Sequence, residues 1–240
     1  MNVLAVDLAS KRYADFGFAR LEPGSANPIF PSPGDLGLSD PPDPVGCAEA
    51  MDAYARRFDT RVILLDGPQG WRHPGSPIEH MRLAERVLNT PGKTGVPGTA
   101  KPKTYLAYTT FSIELFDALR TRGWELLREG WETQRRSRWL AECFPSAAWK
   151  LLGLERLPGK ARKEKALLRK FSRRLAKVTG YVLPSNLSHD QLQAAVVLPA
   201  AEAIAGRDPS RMIMVGFDPL PAPGGQVFEG WIVGPRLHQK

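Results

Sequence analysis

Three short apolar runs, each ending in or around an acid, constrain this chain more than any other feature. They are NVLAVDL from Asn2 to Leu8 around Asp7, RVILLD from Arg61 to Asp66, and WLAECF from Trp139 to Phe144 around Glu142. Runs of this length that are apolar at successive positions suit strands buried on both faces. An acid at the C-terminal end of such a strand emerges at the edge where open α/β sheets carry their sites. Tyr13 to Leu21 follows the first run after the polar turn Ser10-Lys11-Arg12, close enough to pair with it as a hairpin.

The remaining pattern alternates helices with strands. The stretch Glu22 to Val45 carries seven prolines and holds at most one short edge strand, near Pro28 to Phe30. Helices are predicted over Gly46 to Phe58, Pro77 to Leu88, Thr109 to Arg122, Pro145 to Leu152 and Lys160 to Val178, the last stopped by Gly180. Another runs from Ser188 to Gly206 with a kink at Pro199. Met212 to Phe217 and Gln226 to Val233 are strand candidates flanking the turn Pro219 to Gly225. This order predicts an α/β domain over residues 1–240, with a mixed sheet covered by helices.

The charge is unevenly spread. A net +8 comes from 33 basic and 25 acidic residues, yet the segment Lys150 to Gly180 alone holds eleven basic residues against two acids. The rest of the chain is close to balanced, and Leu21 to Ala55 has six acids with no lysine or arginine. A basic helical insertion on a balanced body favours an anionic partner such as nucleic acid. Cys47 and Cys143 have no metal-like spacing and fit free thiols in a reducing compartment. The N-terminal run is broken by Asp7 and lacks a basic leader, and no apolar run reaches a membrane span. A soluble cytoplasmic protein is the expectation.

If the three acid-ended strands lie parallel and adjacent, Asp7, Asp66 and Glu142 converge, and Asp190 in the first turn of the last long helix joins them. Like charges that close raise one another's pKa unless a cation neutralises them. Hard oxygen ligands select Mg²⁺ or Mn²⁺, and two such ions can activate water and stabilise a leaving oxygen in phosphodiester cleavage. Each acid also has a plainer use: Asp66 before Gly67-Pro68 suits a turn, and Asp190 complements a helix dipole.

These residues, with VILLDGPQGW, AECFPSAAWKLLG, SHDQLQAAVV, the Glu85-Arg86 pair and the terminal FEGWIVGP, resemble the DUF429 family of predicted nucleases within the ribonuclease H-like superfamily. The matching pieces span residues 1 to 235 in order. The resemblance implies a five-stranded ribonuclease H-like core with C-terminal extra strands, in which the first strand supplies Asp7, the fourth Asp66 and the fifth Glu142. It also implies two acids three residues apart on the last helix, where this chain has Asp190 and Gln193.

Further candidates concern the anionic partner. The loop Pro91 to Tyr105 combines Gly92, Gly95 and Gly98 with Lys93, Lys101 and Lys103, and resembles a phosphate cradle or a surface loop. On the basic helix, Lys163, Arg169, Lys170, Arg173, Arg174 and Lys177 can track a nucleic-acid backbone. Arg12 and Arg86 can position phosphate or pair with the acids. Trp71 suits base stacking or core packing, and His189 proton transfer or a surface position.

The leading expectation is a metal-dependent nuclease in which Asp7 bridges the metals, Asp66 and Asp190 each hold one, and Glu142 adds a ligand or orients water. The alternative is a nucleic-acid-binding protein on the same fold that has lost catalysis, favoured by Gln193. A kinase-like phosphotransferase ranks last, since such enzymes ordinarily need two copies of the core.

Overall fold

The computed structural model describes residues 1–134, 137–160 and 164–237, so the candidate Lys163 lies outside the described residues. In chain order the elements are β1 (Asn2–Asp7), β2 (Gly17–Leu21), α1 (Pro44–Arg57), β3 (Thr60–Asp66), α2 (Leu83–Leu88), β4 (Lys93–Thr94), β5 (Ala100–Lys101), α3 (Leu106–Arg120) and β6 (Glu125–Leu126). They continue as β7 (Trp139–Cys143), α4 (Pro145–Leu151), α5 (Lys165–Thr179), α6 (His189–Val196), α7 (Leu198–Gly206), β8 (Met212–Gly216), β9 (Leu220–Pro221), β10 (Val227–Phe228) and β11 (Trp231–Pro235).

The main sheet runs in the order β2-β1-β3-β7-β11-β8, with the short β6 also paired to β7. β1, β3, β7 and β11 are mutually parallel, while β2 and β8 run antiparallel at the two ends of this path. The expected α/β class with a mixed sheet is therefore present. All three acid-ended runs are strands, and they lie side by side as β1, β3 and β7. Near Pro28 to Phe30 a single antiparallel bridge joins Ile29 to Arg20, which is as much strand as the proline-rich stretch supports.

Strand alternation divides the core into two layers. Val3, Ala5, Val62, Leu64 and Ala141 face a cluster that includes residues of α4 to α7. Leu4, Val6, Ile63, Leu65 and Leu140 face the other way, toward α1 and α3. No helix among the described residues is long and apolar enough to cross a membrane.

Several boundaries differ from the sequence expectation for local reasons. The predicted helix over Pro77 to Leu88 shrinks to α2, whose start is fixed when the Arg82 backbone N–H donates to Glu85 Oε2 at 3.2 Å. The long terminal helix divides at Val197, two residues before Pro199, whose ring cannot continue the preceding ladder. The last strand divides at Glu229 and Gly230, both at positive φ. The basic helix begins later than expected, at Lys165, and ends at Gly180 in the left-handed conformation.

Candidate metal centre

Asp7 and Asp66 are register partners at the C-terminal ends of β1 and β3, so their side chains leave the same face of the sheet. The two carboxylates lie within hydrogen-bonding distance of each other. Burial, reinforced by the charges of Asp66 and Asp190, holds the Asp7 carboxyl well above its ordinary range. Burial likewise pushes Asp66 up to about 7, opposed by its contact with Asp7. Two acids this close, Asp7 buried and Asp66 half-buried, are costly unless they share a proton or a cation.

The first turn of α6 brings the next two groups. Ser188 caps this helix by accepting the Gln191 N–H at 3.1 Å, which starts the helix at His189 and Asp190. Close approach depends on Gly17, the register partner of Asp7 on β2. A methyl group there would sit 2.0 Å from the Asp190 carbonyl oxygen. Without a side chain at position 17, α6 settles directly on the sheet edge. One ligand atom from each of Asp7, His189 and Asp190 then falls within 4.8 Å of the others.

His189 is 7% exposed and both ring nitrogens are engaged. Nε2 faces the Pro158 carbonyl at 2.9 Å and must carry the proton, because a carbonyl only accepts. Nδ1 faces Asp190 Oδ1 at 3.1 Å, a contact that only a second proton or a metal ion makes attractive. A histidine that donates one ring N–H to a backbone carbonyl and offers the other nitrogen inward has the arrangement of an oriented metal ligand. Burial pushes Asp190 up, but hydrogen bonds from His189 and Lys160 outweigh it and leave its pKa lowered.

Glu142 does not join this cluster. In the register of β3 with β7 its partner is Leu65, while Cys143 is the partner of Asp66. Alternation therefore turns Glu142 to the opposite face from Asp7 and Asp66, and puts the buried Cys143 on theirs. Both Glu142 oxygens are taken by the Arg82 guanidinium at 2.7 Å, and the Gln69 backbone N–H adds a third bond at 3.0 Å. Arg82 is fully buried and also pairs with Glu85 at 3.0 Å. Burial still leaves the Glu142 pKa raised, against the opposing pull of Arg82.

Gln193, at the place where a second helix acid was expected, points elsewhere as well. Its Oε1 accepts the Trp149 indole N–H at 2.7 Å inside the core. Position 193 thus serves packing between α6 and α4.

A cavity of about 520 Å³ opens beside the cluster, lined by Asp66, Glu142, Lys160, Tyr105, Tyr108 and Phe144 among others. The Tyr108 hydroxyl donates to the backbone carbonyl of Asp66 and ties α3 to the end of β3. Gly67 permits this approach, since a methyl there would lie 2.4 Å from Ser112 Oγ.

The other candidates distribute as follows. Arg12 pairs with Asp15 at 2.9 Å on the surface, and Arg86 is exposed on α2 while Arg82 makes the acid contacts. The glycine and lysine loop forms the small hairpin of β4 and β5, in which Gly95 N–H is bonded to Thr99. Lys93 reaches the Glu85 carbonyl at 3.4 Å, whereas Lys101 and Lys103 are exposed. On α5, Arg169, Lys170, Arg173 and Lys177 are exposed and Arg174 pairs with Glu155. Trp71 is buried and donates to Gln226 Oε1 at 2.9 Å, a packing role.

Arg82, Gly17 and Lys160 were not singled out from the sequence as parts of the site. Of these, Gly17 had a legible signal, as a glycine inside an apolar strand marks close approach of another chain segment. Comparison with family models, curated proteins and solved structures finds nothing that matches this chain.

Proposed function

We propose that this chain is a metal-dependent hydrolase of ribonuclease H-like type, similar to the DUF429 predicted nucleases, that cleaves a nucleic-acid phosphodiester. The carrying observation is the close pair Asp7 and Asp66 at adjacent parallel strand ends, with His189 and Asp190 brought against Asp7 by α6. The order β2-β1-β3-β7, with β2 antiparallel and the rest parallel, supports the same class.

The donor set of two carboxylates and one imidazole nitrogen fits a hard or borderline divalent ion. Oxygen ligands suit Mg²⁺, and the nitrogen shifts preference toward Mn²⁺. A bound ion of this kind supplies charge stabilisation at the phosphoryl group and activates water. Asp7, His189 and Asp190 would hold it. Asp66, raised to about 7 and lining the cavity, is placed to take a proton from the attacking water near neutral pH. The exposed cations of α5, which packs against α6, supply backbone attraction.

The test is incubation of the purified chain with single-stranded, duplex and branched DNA and with RNA, in Mg²⁺ or Mn²⁺. Cleavage by the native protein and its loss in Asp7→Asn is the expected result. Absence of cleavage across all substrates, with Asp7→Asn indistinguishable, sinks the nuclease reading. A second reading, binding without catalysis, is favoured by one observation, the capture of Glu142 by Arg82. Steeply salt-dependent binding without cleavage identifies it.

A further inference from the structure

Lys160, from the connection between α4 and α5, places its ammonium 2.8 Å from Asp190 Oδ1 and 3.9 Å from Asp15 Oδ1. It also reaches the Asp15 carbonyl at 3.4 Å. Asp15 already has Arg12 as an ion-pair partner at 2.9 Å, so the charge that Lys160 offsets is chiefly that of Asp190.

Among the described residues, one ligand atom from each of Asp7, His189 and Asp190 forms a group within 4.8 Å. Glu142 is held by Arg82, which it shares with Glu85, and Gln193 is bonded to Trp149, so neither is free to complete a second group. The Lys160 ammonium lies against Asp190 and lines the cavity, where a second divalent ion would meet its charge at close range.

We propose that the site takes a single divalent cation, at Asp7, His189 and Asp190, and that Lys160 stands in for the second, with its ammonium directed at a phosphoryl oxygen. The placement suits that role. Lys160 lines the same cavity as Asp66, and its side chain is 38% exposed, leaving one of its three N–H donors beyond those directed at Asp190 and the Asp15 carbonyl. The inference rests on the metal-site reading above, but not on nucleic acid being the substrate.

Mn²⁺ titration of the full chain tests the first half, by calorimetry and by electron paramagnetic resonance of the free ion. The native protein is expected to bind one Mn²⁺ per chain. Lys160→Glu, which puts a fourth carboxylate where the ammonium was, is expected to bind two. Lys160→Gln is expected to bind one at least tenfold more tightly, because Asp190 has lost its partner. Two ions in the native protein, or unchanged stoichiometry and affinity in both variants, overturns the inference. If Lys160→Glu does not fold, Lys160→Gln decides alone.

Binding of inorganic phosphate to the Mn²⁺-loaded protein tests the second half. Lys160→Gln should lose at least tenfold in phosphate affinity and Lys160→Arg should retain most of it; equal affinity in Lys160→Gln overturns the assignment. Failure of the broader readings is separately visible. No Mn²⁺ bound by either the native protein or Lys160→Gln overturns the metal site and this inference together. One Mn²⁺ with no cleavage of any nucleic acid removes the nuclease and leaves the single-cation site standing.

Discussion

The Trp149 indole N–H donates to the Gln193 amide oxygen at 2.7 Å, joining α4 to α6 one turn after Asp190. This bond accounts for an amide where an acid was expected. An aspartate at 193 would be one methylene shorter, would bury a charge and would leave the indole donor without its partner. Gln193→Asp should therefore cost on the order of 1–3 kcal/mol in denaturant unfolding. Its Mn²⁺ affinity should stay within about twofold of the native value. A gain in metal affinity or cleavage would mean that position 193 faces the site.

Gly17 is the second position where packing decides chemistry. With a methyl group directed 2.0 Å from the Asp190 carbonyl oxygen, Gly17→Ala must push the start of α6 off the sheet. Overpacking of this kind costs about 1–3 kcal/mol. The specific expectation is a loss of Mn²⁺ affinity of tenfold or more while far-ultraviolet circular dichroism stays native-like. Native affinity in a folded Gly17→Ala would show that α6 need not sit this close.

Much of the architecture is legible in residue order. The runs ending at Asp7, Asp66 and Glu142 are β1, β3 and β7, adjacent and parallel as their apolar character requires. Register is the part that residue order does not carry. A slip of one residue exchanges the faces of a strand, and the actual register sets Cys143 beside Asp66 and turns Glu142 to Arg82. In residue order Arg86 stands out as the partner of Glu85, and nothing marks Arg82. In fact α2 starts at Leu83, and Arg82 is its buried N-cap. Lys160 was expected inside a helix, and its place beside Asp190 depends on a connection with no periodic pattern to read.

The buried Arg82 offers a test that separates Glu142 from the metal centre. Removing the guanidinium in Arg82→Met leaves Glu142 and Glu85 uncompensated, and breaking such a pair from one side costs about 3–5 kcal/mol. Glu142→Gln should lower stability without changing Mn²⁺ stoichiometry, whereas Asp7→Asn should abolish binding. Thermal melts with calorimetric titration distinguish the two. Loss of Mn²⁺ binding in a folded Glu142→Gln would return Glu142 to the ligand set.

The raised carboxyl pKa values set a direction for pH. Burial pushes the Asp66 carboxyl up to about 7 from an ordinary 3.8. A carboxyl raised on folding stabilises the protein while it is protonated, and that contribution fades as pH climbs through the folded value. The metal-free protein should therefore lose stability between about pH 4 and 7, by on the order of 2 kcal/mol allowing for solvent screening. Asp190, lowered in the fold, acts in the opposite sense and only at more acidic pH. Melting temperatures in chelator across this range check the trend. Asp66→Asn and saturating Mn²⁺ should each make it shallower, with the raised Asp7 and Glu142 carrying what remains, and a flat native profile would contradict the close approach of Asp7 and Asp66.

The exposed cations of α5 make a prediction independent of the metal. Lys170 and Arg173 lie on the solvent side of a helix whose opposite side buries Phe171 and Leu175, and Phe171 packs edge-on against Trp149 at 5.5 Å. Reversing both charges leaves that packing intact, so melting temperature and Mn²⁺ binding should barely move. Each phosphate contact contributes about 0.9 to the log–log salt slope on duplex DNA. The double variant Lys170→Glu with Arg173→Glu should thus flatten the slope by about 2 and weaken binding at low salt more than at high salt. Fluorescence anisotropy across a salt series reads this directly. An unchanged slope would remove α5 from the nucleic-acid surface and shift attention to Lys101 and Lys103 on the β4 and β5 hairpin side.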